Sequence, residues 1–245
     1  MNLQQYREKK QRLLCAEPRR RQLCTRCIQP DFSCYCAHLS PFDPLMKFVI
    51  LIHPIEAKRR IATGRMSHLT LENSHLIMGQ NYSHHDEVNA ILNDPQFFSV
   101  MLYPGQNSKN LSAMTMNERT LLFPEHKKLA VFVIDGTWAT AKKMVRQSEN
   151  LQSLPRLCFT PPGPSNFRVR KQPHEFCYST IEAIHHTIEL LGPTQGFATQ
   201  SREHDHLTHV FHTMVERQLD FIRTSQRQHR QSTYRRVRRT PMIDL

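Results

Sequence analysis

Two stretches of this chain hold residue types whose spacing can do chemistry. The first is CTRCIQPDFSCYC, residues 24–36, where Cys24, Cys27, Cys34 and Cys36 form a C-x2-C-x6-C-x-C pattern. The leading pair of thiolates can hold one edge of a tetrahedral zinc ion and the trailing pair the opposite edge. Four sulfurs leave no open coordination position, so such a site is structural and orders a segment too short to bury its own core. An iron–sulfur cluster shares four-cysteine ligation and is the alternative occupant. The second stretch is VFVIDGTWATAKK, residues 131–143. An apolar run ends in Asp135, followed by Gly136, Thr137 and Trp138, the only tryptophan in the chain. A carboxylate just ahead of a helix can simply cap it. Beside an indole it also suits a planar, hydrogen-bonding substrate such as a nucleobase.

Three further stretches are informative. PPGPSNFRVRKQP, residues 161–173, is a proline-stiffened loop carrying Ser165, Arg168, Arg170 and Lys171. Fixed cations on a stiff loop suit phosphate or carboxylate groups. YSTIEA, residues 178–183, opens a helix with hydroxyls and places Glu182 for a capping box. Free N–H groups at such a start also bind anions. His204, His206, His209 and His212 follow at spacings that can align on a helix. They read as a polar face toward RNA or solvent ahead of a metal site. Cys15, Cys158 and Cys177 stand alone and read as small apolar fillers.

The elements that must position these groups are legible. Apolar runs of strand length lie at 46–52, 75–79, 97–105, 129–135 and 156–159. Helical patterns fall between and around them, at 3–14, 62–72, 87–93, 138–149, 179–191 and 203–223. Continuous apolar strands alternating with helices predict an α/β fold, a mostly parallel sheet with helices on both faces. In such a sheet ligands bind at the carboxyl ends of the strands. There the sequence places HP at 53–54, YPG at 103–105 and DGTW at 135–138. Three parts are expected: a basic N-terminal helix with a cysteine knuckle over 1–44, an α/β domain over 45–223, and a basic, flexible tail over 224–245.

The charge is +12, from 33 Lys and Arg against 21 Asp and Glu. Eight arginines lie between Arg217 and Arg239 with Asp220 the only acid among them. A polyanionic partner, most often nucleic acid, is the natural reading. No apolar run approaches the ~20 residues needed to span a bilayer. The N-terminus MNLQQYREKKQRLL lacks the apolar core of a signal peptide. A cytoplasmic protein is expected, with no membrane contact and no obligate protein partner, and its reducing compartment argues against disulfides.

Taken together these pieces resemble the DTW-domain family of tRNA-uridine aminocarboxypropyltransferases. CTRCIQPDFSCYC (24–36) looks like the family's cysteine motif, TGR (63–65) its segment after the first strand, and YPG (103–105) a strand-end proline motif. DGTW (135–138), followed by AKKM, matches D-x-T-W, and STIEA (179–183) looks like the S-x-x-E-A helix start. Ala62 stands where such relatives often carry Asn. The resemblance implies a relation to the knotted, SPOUT-like methyltransferases, S-adenosylmethionine as donor, and 3-(3-amino-3-carboxypropyl)uridine in tRNA as product. On this reading Asp135, Thr137 and Trp138 are catalytic, with Asp135 either the general base for uracil N3–H or the group that orients it. Gly64, Arg65, Pro104, Gly136, Ser165, Arg168, Ser179 and Glu182 are the donor-binding candidates. Arg65, Arg168 and Arg170 are open to donor carboxylate or tRNA phosphate, and Glu182 to pocket or cap. The N-terminal helix, the zinc knuckle and the tail are the expected tRNA surface. The alternatives are an RNA methyltransferase using the same donor and a non-catalytic zinc-bearing RNA-binding protein.

Overall fold

The computed structural model describes residues 4–8, 22–170 and 176–227. Residues 4–8 are helical. The rest of the expected 3–14 helix, Lys171 and residues 228–245 of the tail lie outside the described residues.

Among the described residues six strands form one sheet: β1 (Lys47–Ile52), β2 (Ser74–Met78), β3 (Phe97–Leu102), β4 (Lys109–Asn110), β5 (Lys128–Asp135) and β6 (Arg156–Cys158). Every pairing is parallel, in the order β2-β1-β5-β3-β6-β4. The chain moves from β1 to β2 on one side, then returns to β3 beyond the gap that β5 fills. Asp135 therefore ends a central strand, in register with Ile52 of β1.

The helices are α1 (Pro54–Ala57), α2 (Thr63–Thr70), α3 (Asp86–Asn93), α4 (Met116–Thr120), α5 (Trp138–Gln147), α6 (Glu149–Gln152), α7 (Thr180–Leu191) and α8 (Asp205–Arg227). The two-residue alternation of the strands divides the core between two faces. Phe48, Ile50, Val131 and Val133 face α7 and α8 through Ile184, Ile188, Val210 and Phe211. Val49, Leu51, Ala130 and Phe132 face α3 and α5 through Val88, Met144 and Val145. These side chains are almost wholly buried, and each large one stabilises the fold by roughly 1.5–3 kcal/mol. The expected α/β architecture with a parallel sheet is what forms.

Two departures have physical causes. The strand expected over 97–105 stops at Leu102, two residues ahead of Pro104, which has no N–H for a ladder. Strand β4 is the polar pair Lys109–Asn110 on the sheet edge; it holds by pairing with Leu157 and Cys158, and no apolar run announces it.

The cysteine segment packs on the end of α8. The Arg217 guanidinium donates to the Cys34 carbonyl and contacts His38 Nε2 at 2.8 Å. Phe32 stacks on Phe221 with centroids 5.5 Å apart. Gln29, fully buried, donates to the Arg60 carbonyl at 2.6 Å. Cys27 and Tyr35 join the same apolar cluster as α7 and α8, so the knuckle extends the main core.

Candidate active site and metal centre

A cavity of about 410 Å³ opens at the carboxyl ends of β5, β3 and β6. Its far wall comes from the 161–170 loop and the start of α7. Among the described residues six aromatic side chains line it: Tyr103, Trp138, Phe159, Phe167, Phe176 and Tyr178.

Asp135 lines this cavity while only 5% exposed. The Thr180 hydroxyl donates to its Oδ1 at 2.7 Å and the Gly64 N–H to its Oδ2 at 3.2 Å. Burial pushes its carboxyl above the ordinary carboxylate range; the Thr180 hydroxyl opposes this and the nearby Glu56 carboxylate adds to it. Gly64 is required by space: a Cβ there would lie 2.3 Å from Asp135 Oδ2. Ala62, the residue ahead of α2, supplies no side-chain cap.

Several expected site residues share this cavity. Pro104, Gly136, Thr137, Trp138 and Ser179 line it, and so does Thr63, which is not among the candidates, while Gly64 and Ser165 stand outside the lining. Thr137 also caps α5, its Oγ1 accepting from the Thr140 N–H at 3.2 Å. Trp138 is 51% exposed, so Asp135 owes its dryness to α2, α7 and the sheet. Among the three candidate arginines, Arg170 lines the cavity, with its Nη2 3.5 Å from Glu56 Oε1.

Others stand outside the lining. Arg65 is buried, its guanidinium donating to the carbonyls of Ala57 and Arg59, so it ties α1 to α2. Arg168 pairs with Glu216 on α8. Glu182 is a buried hub. It accepts from the Ser165 hydroxyl at 2.8 Å, the Asn166 N–H at 2.7 Å, and the Ser179 N–H and hydroxyl at 2.8 and 2.6 Å. One carboxylate thus caps α7 and moors the 161–170 loop to it. Replacing Glu182 with Ala strands these donors; hydrogen bonds to charged groups contribute roughly 1.5–3 kcal/mol each, with incomplete additivity. Thermal denaturation should show a loss of roughly 3 kcal/mol or more; an unchanged melting temperature would refute the mooring role.

Thr180 and Glu56 carry little signal in the sequence. Thr180 sits inside the helix-start motif, where a hydroxyl reads as a cap. Glu56 is one acid in a short helix, and only folding buries it to 2% beside Arg59 and Arg170.

The cysteine geometry fits a tetrahedral metal. Cys24 and Cys36 sulfurs lie 3.6 Å apart, as do those of Cys27 and Cys34, and all four fall within 4.8 Å of one another. A tetrahedron with ~2.3 Å zinc–sulfur bonds has edges of about 3.8 Å, whereas a disulfide is ~2.05 Å. The backbone N–H groups of Cys27 and Arg26 lower the Cys24 thiol to a pKa of about 6, while burial raises those of Cys27 and Cys36, so without a cation among them the four thiols do not all ionise readily. Ile28 closes the turn in the left-handed region, φ 59°, strained for a β-branched residue. The histidines do not form one face. His204 is fully buried, stacked on His185 at 4.7 Å and bonded to Glu189. His206 packs edge-on to Phe42, while His209 and His212 are exposed. His185, His204 and Asp205 also converge, but Arg202 donates to both Asp205 oxygens at 2.9 and 2.8 Å, which makes an ion-pair network.

The DTW domain matches residues 21–219, from just before the cysteines to within α8. The chain belongs to the DTW-domain family. Its relatives include tRNA-uridine aminocarboxypropyltransferase 2 of Drosophila melanogaster, 29% identical over 211 residues, 83% of this chain and 77% of that one. The Mus musculus protein of the same name is 26% identical over 183 residues, 70% and 57% of the two chains. tRNA-uridine aminocarboxypropyltransferase A of Arabidopsis thaliana is 26% identical over 198 residues, 71% and 74%. No solved structure matches the chain. In this DTW domain the D-x-T-W segment supplies the cavity's acid and its exposed indole, and the helix-start motif supplies the hydroxyl that holds the acid.

Proposed function

We propose that this chain transfers the 3-amino-3-carboxypropyl group of S-adenosylmethionine to N3 of a uridine in tRNA, releasing methylthioadenosine. The observation that carries the reading is a dry carboxylate, Asp135, in an aromatic-lined cavity within a DTW domain whose relatives are named for this activity. The sulfonium activates several carbons of the donor. Transfer of the amino-acid arm requires uracil N3 to meet its γ-carbon, so alignment is the main catalytic device and can supply roughly 7–11 kcal/mol. N3 attacks the γ-carbon, the carbon–sulfur bond breaks with its electrons going to sulfur, and the N3 proton passes to Asp135. A carboxyl with a raised pKa is the stronger base once ionised. Arg170 is the cation placed for the donor carboxylate, in exchange for its long contact with Glu56. Trp138 offers a flat face to the uracil.

The same reading includes a structural zinc on Cys24, Cys27, Cys34 and Cys36, a cytoplasmic location and a relation to the knotted methyltransferases. It retains the division at 44 and 223, with the N-terminal helix, knuckle and tail meeting tRNA. Among the described residues no helix is long and apolar enough to cross a membrane. The deciding test is incubation of tRNA with the protein and S-adenosylmethionine, then mass analysis of the nucleosides. An added 3-amino-3-carboxypropyl group on uridine supports the reading; an added methyl, or unmodified tRNA of every kind supplied, overturns it.

A further inference from the structure

Helix α5 carries Lys142, Lys143 and Arg146, all exposed, and no acid in its ten residues. Several exposed arginines elsewhere are paired, Arg59 with Glu56, Arg168 with Glu216, Arg202 with Glu189 and Asp205, and Arg223 with Asp220, whereas Arg26 and Arg60 near the cysteine segment have no ion pair among the described residues. Among the described residues no ion pair engages the three cations of α5. Trp138, Lys142 and Arg146 follow at four-residue steps, so they run along one side of the helix, about 6 Å apart per step. That spacing is of the order of the distance between adjacent phosphates of a nucleic-acid strand. The row begins at the cavity, where Trp138 and Phe176 stand 51% and 50% exposed. Two exposed rings at a cavity mouth, continued by a row of unpaired cations, make a stacking platform joined to a phosphate track.

We propose that the solvent face of α5 is an RNA-backbone track: Lys142 and Arg146, with Lys143 beside them, grip phosphates flanking the target nucleotide while its base enters over Trp138. This rests on the proposed function and adds a surface within the α/β domain to the tRNA contacts expected of its termini. It also explains why an exposed indole sits ahead of a lysine-rich turn.

The test compares the wild-type chain with Lys142→Glu/Arg146→Glu and with a control, Lys127→Glu/Lys128→Glu. The control makes the same charge change at the opposite, amino end of β5. Trp138, the only tryptophan, reports tRNA binding through its fluorescence. The α5 variant is expected to bind tRNA at least tenfold more weakly. Its salt slope should be shallower by about 1–2, one step of roughly 0.7–0.9 for each phosphate it no longer grips. Its calorimetric affinity for S-adenosylmethionine and its circular dichroism stay as in wild type, and the control stays within about twofold in tRNA affinity, a margin allowed for long-range steering. Wild-type tRNA affinity and slope in the α5 variant, or equal weakening in the control, overturns the track. Failure of the wild-type chain to modify any tRNA is a different result and strikes the functional reading instead.

Discussion

Replacing Asp135 with Asn leaves a folded protein that has lost nearly all of its transferase activity. Asn is close in shape, and its amide can keep both bonds that Asp135 makes. Its oxygen can accept from the Gly64 N–H and its NH2 can donate to the Thr180 hydroxyl, which is able to accept. What Asn lacks is the capacity to take a proton. General-base catalysis contributes typically 10²- to 10⁴-fold, so the rate should fall by about that factor, some 3–5 kcal/mol of barrier. The pH dependence supplies an independent check. Burial raises the Asp135 pKa above its ordinary 3.8, so the acid limb of the wild-type rate profile should lie above the usual carboxylate range and vanish in the Asn variant.

Stability moves the other way. A carboxyl with a raised folded pKa holds its proton more tightly in the native state. Its contribution is complete below 3.8, the unfolded value, and is lost as pH rises through the folded pKa. Above the folded pKa the wild type therefore carries an ionised, buried acid that the Asn variant does not. The variant should melt at or above the wild-type temperature on the alkaline side of that pKa, with the difference shrinking in acid. Retained turnover would remove Asp135 from the chemistry; a collapse of the fold would make it structural. Gly64→Ala is the steric counterpart: its Cβ would meet Asp135 Oδ2 at 2.3 Å, displacing the carboxylate without changing its identity. Activity should again be lost, this time with reduced stability.

Metal removal should have the largest effect on stability. The four sulfurs already stand at near-tetrahedral separations, and structural zinc contributes roughly 10–16 kcal/mol in zinc-finger peptides. That is comparable to the whole stability of a typical domain, about 5–15 kcal/mol. Without the ion the strained turn at Ile28 is left to two backbone bonds, from the Ile28 N–H to the Cys24 carbonyl and from the Cys24 N–H to the Gln29 carbonyl. Arg217 and Phe221 then lose their partners on the knuckle, and the buried Cys27 and Tyr35 leave the α7–α8 cluster. A Cys24→Ser/Cys27→Ser variant, or wild type treated with a strong chelator, should lose about one equivalent of zinc and melt well over ten degrees lower, at roughly 2–4 °C per kcal/mol for a chain of this size. Elemental analysis with thermal melts checks this; metal-free wild type with an unchanged melting temperature would refute a structural ion.

Most of the strand and helix plan was legible because it depends on local pattern. Runs such as KFVILI and KLAVFVID are apolar on successive residues, which only a strand buried on both faces needs. The cysteine spacing and the D-x-T-W segment were legible for the same reason, since ligand geometry and a strand-to-helix turn are short-range. The tertiary structure decided which candidates meet. Gly64 and Thr180 lie 71 and 45 residues from Asp135 in sequence yet supply the bonds that hold it. Arg65, Arg168 and Arg170 look alike as cations on polar segments, but one braces a turn, one pairs with α8 and one reaches the cavity. Glu182 kept its cap and gained a loop. The sequence by itself determined the layered α/β plan, the metal-binding pattern and the acid at the strand end, because periodicity and spacing encode burial and ligation locally. Strand order, the desolvation of Asp135 and the division of labour among the arginines arose only when distant segments packed together, because burial and charge pairing depend on neighbours in space.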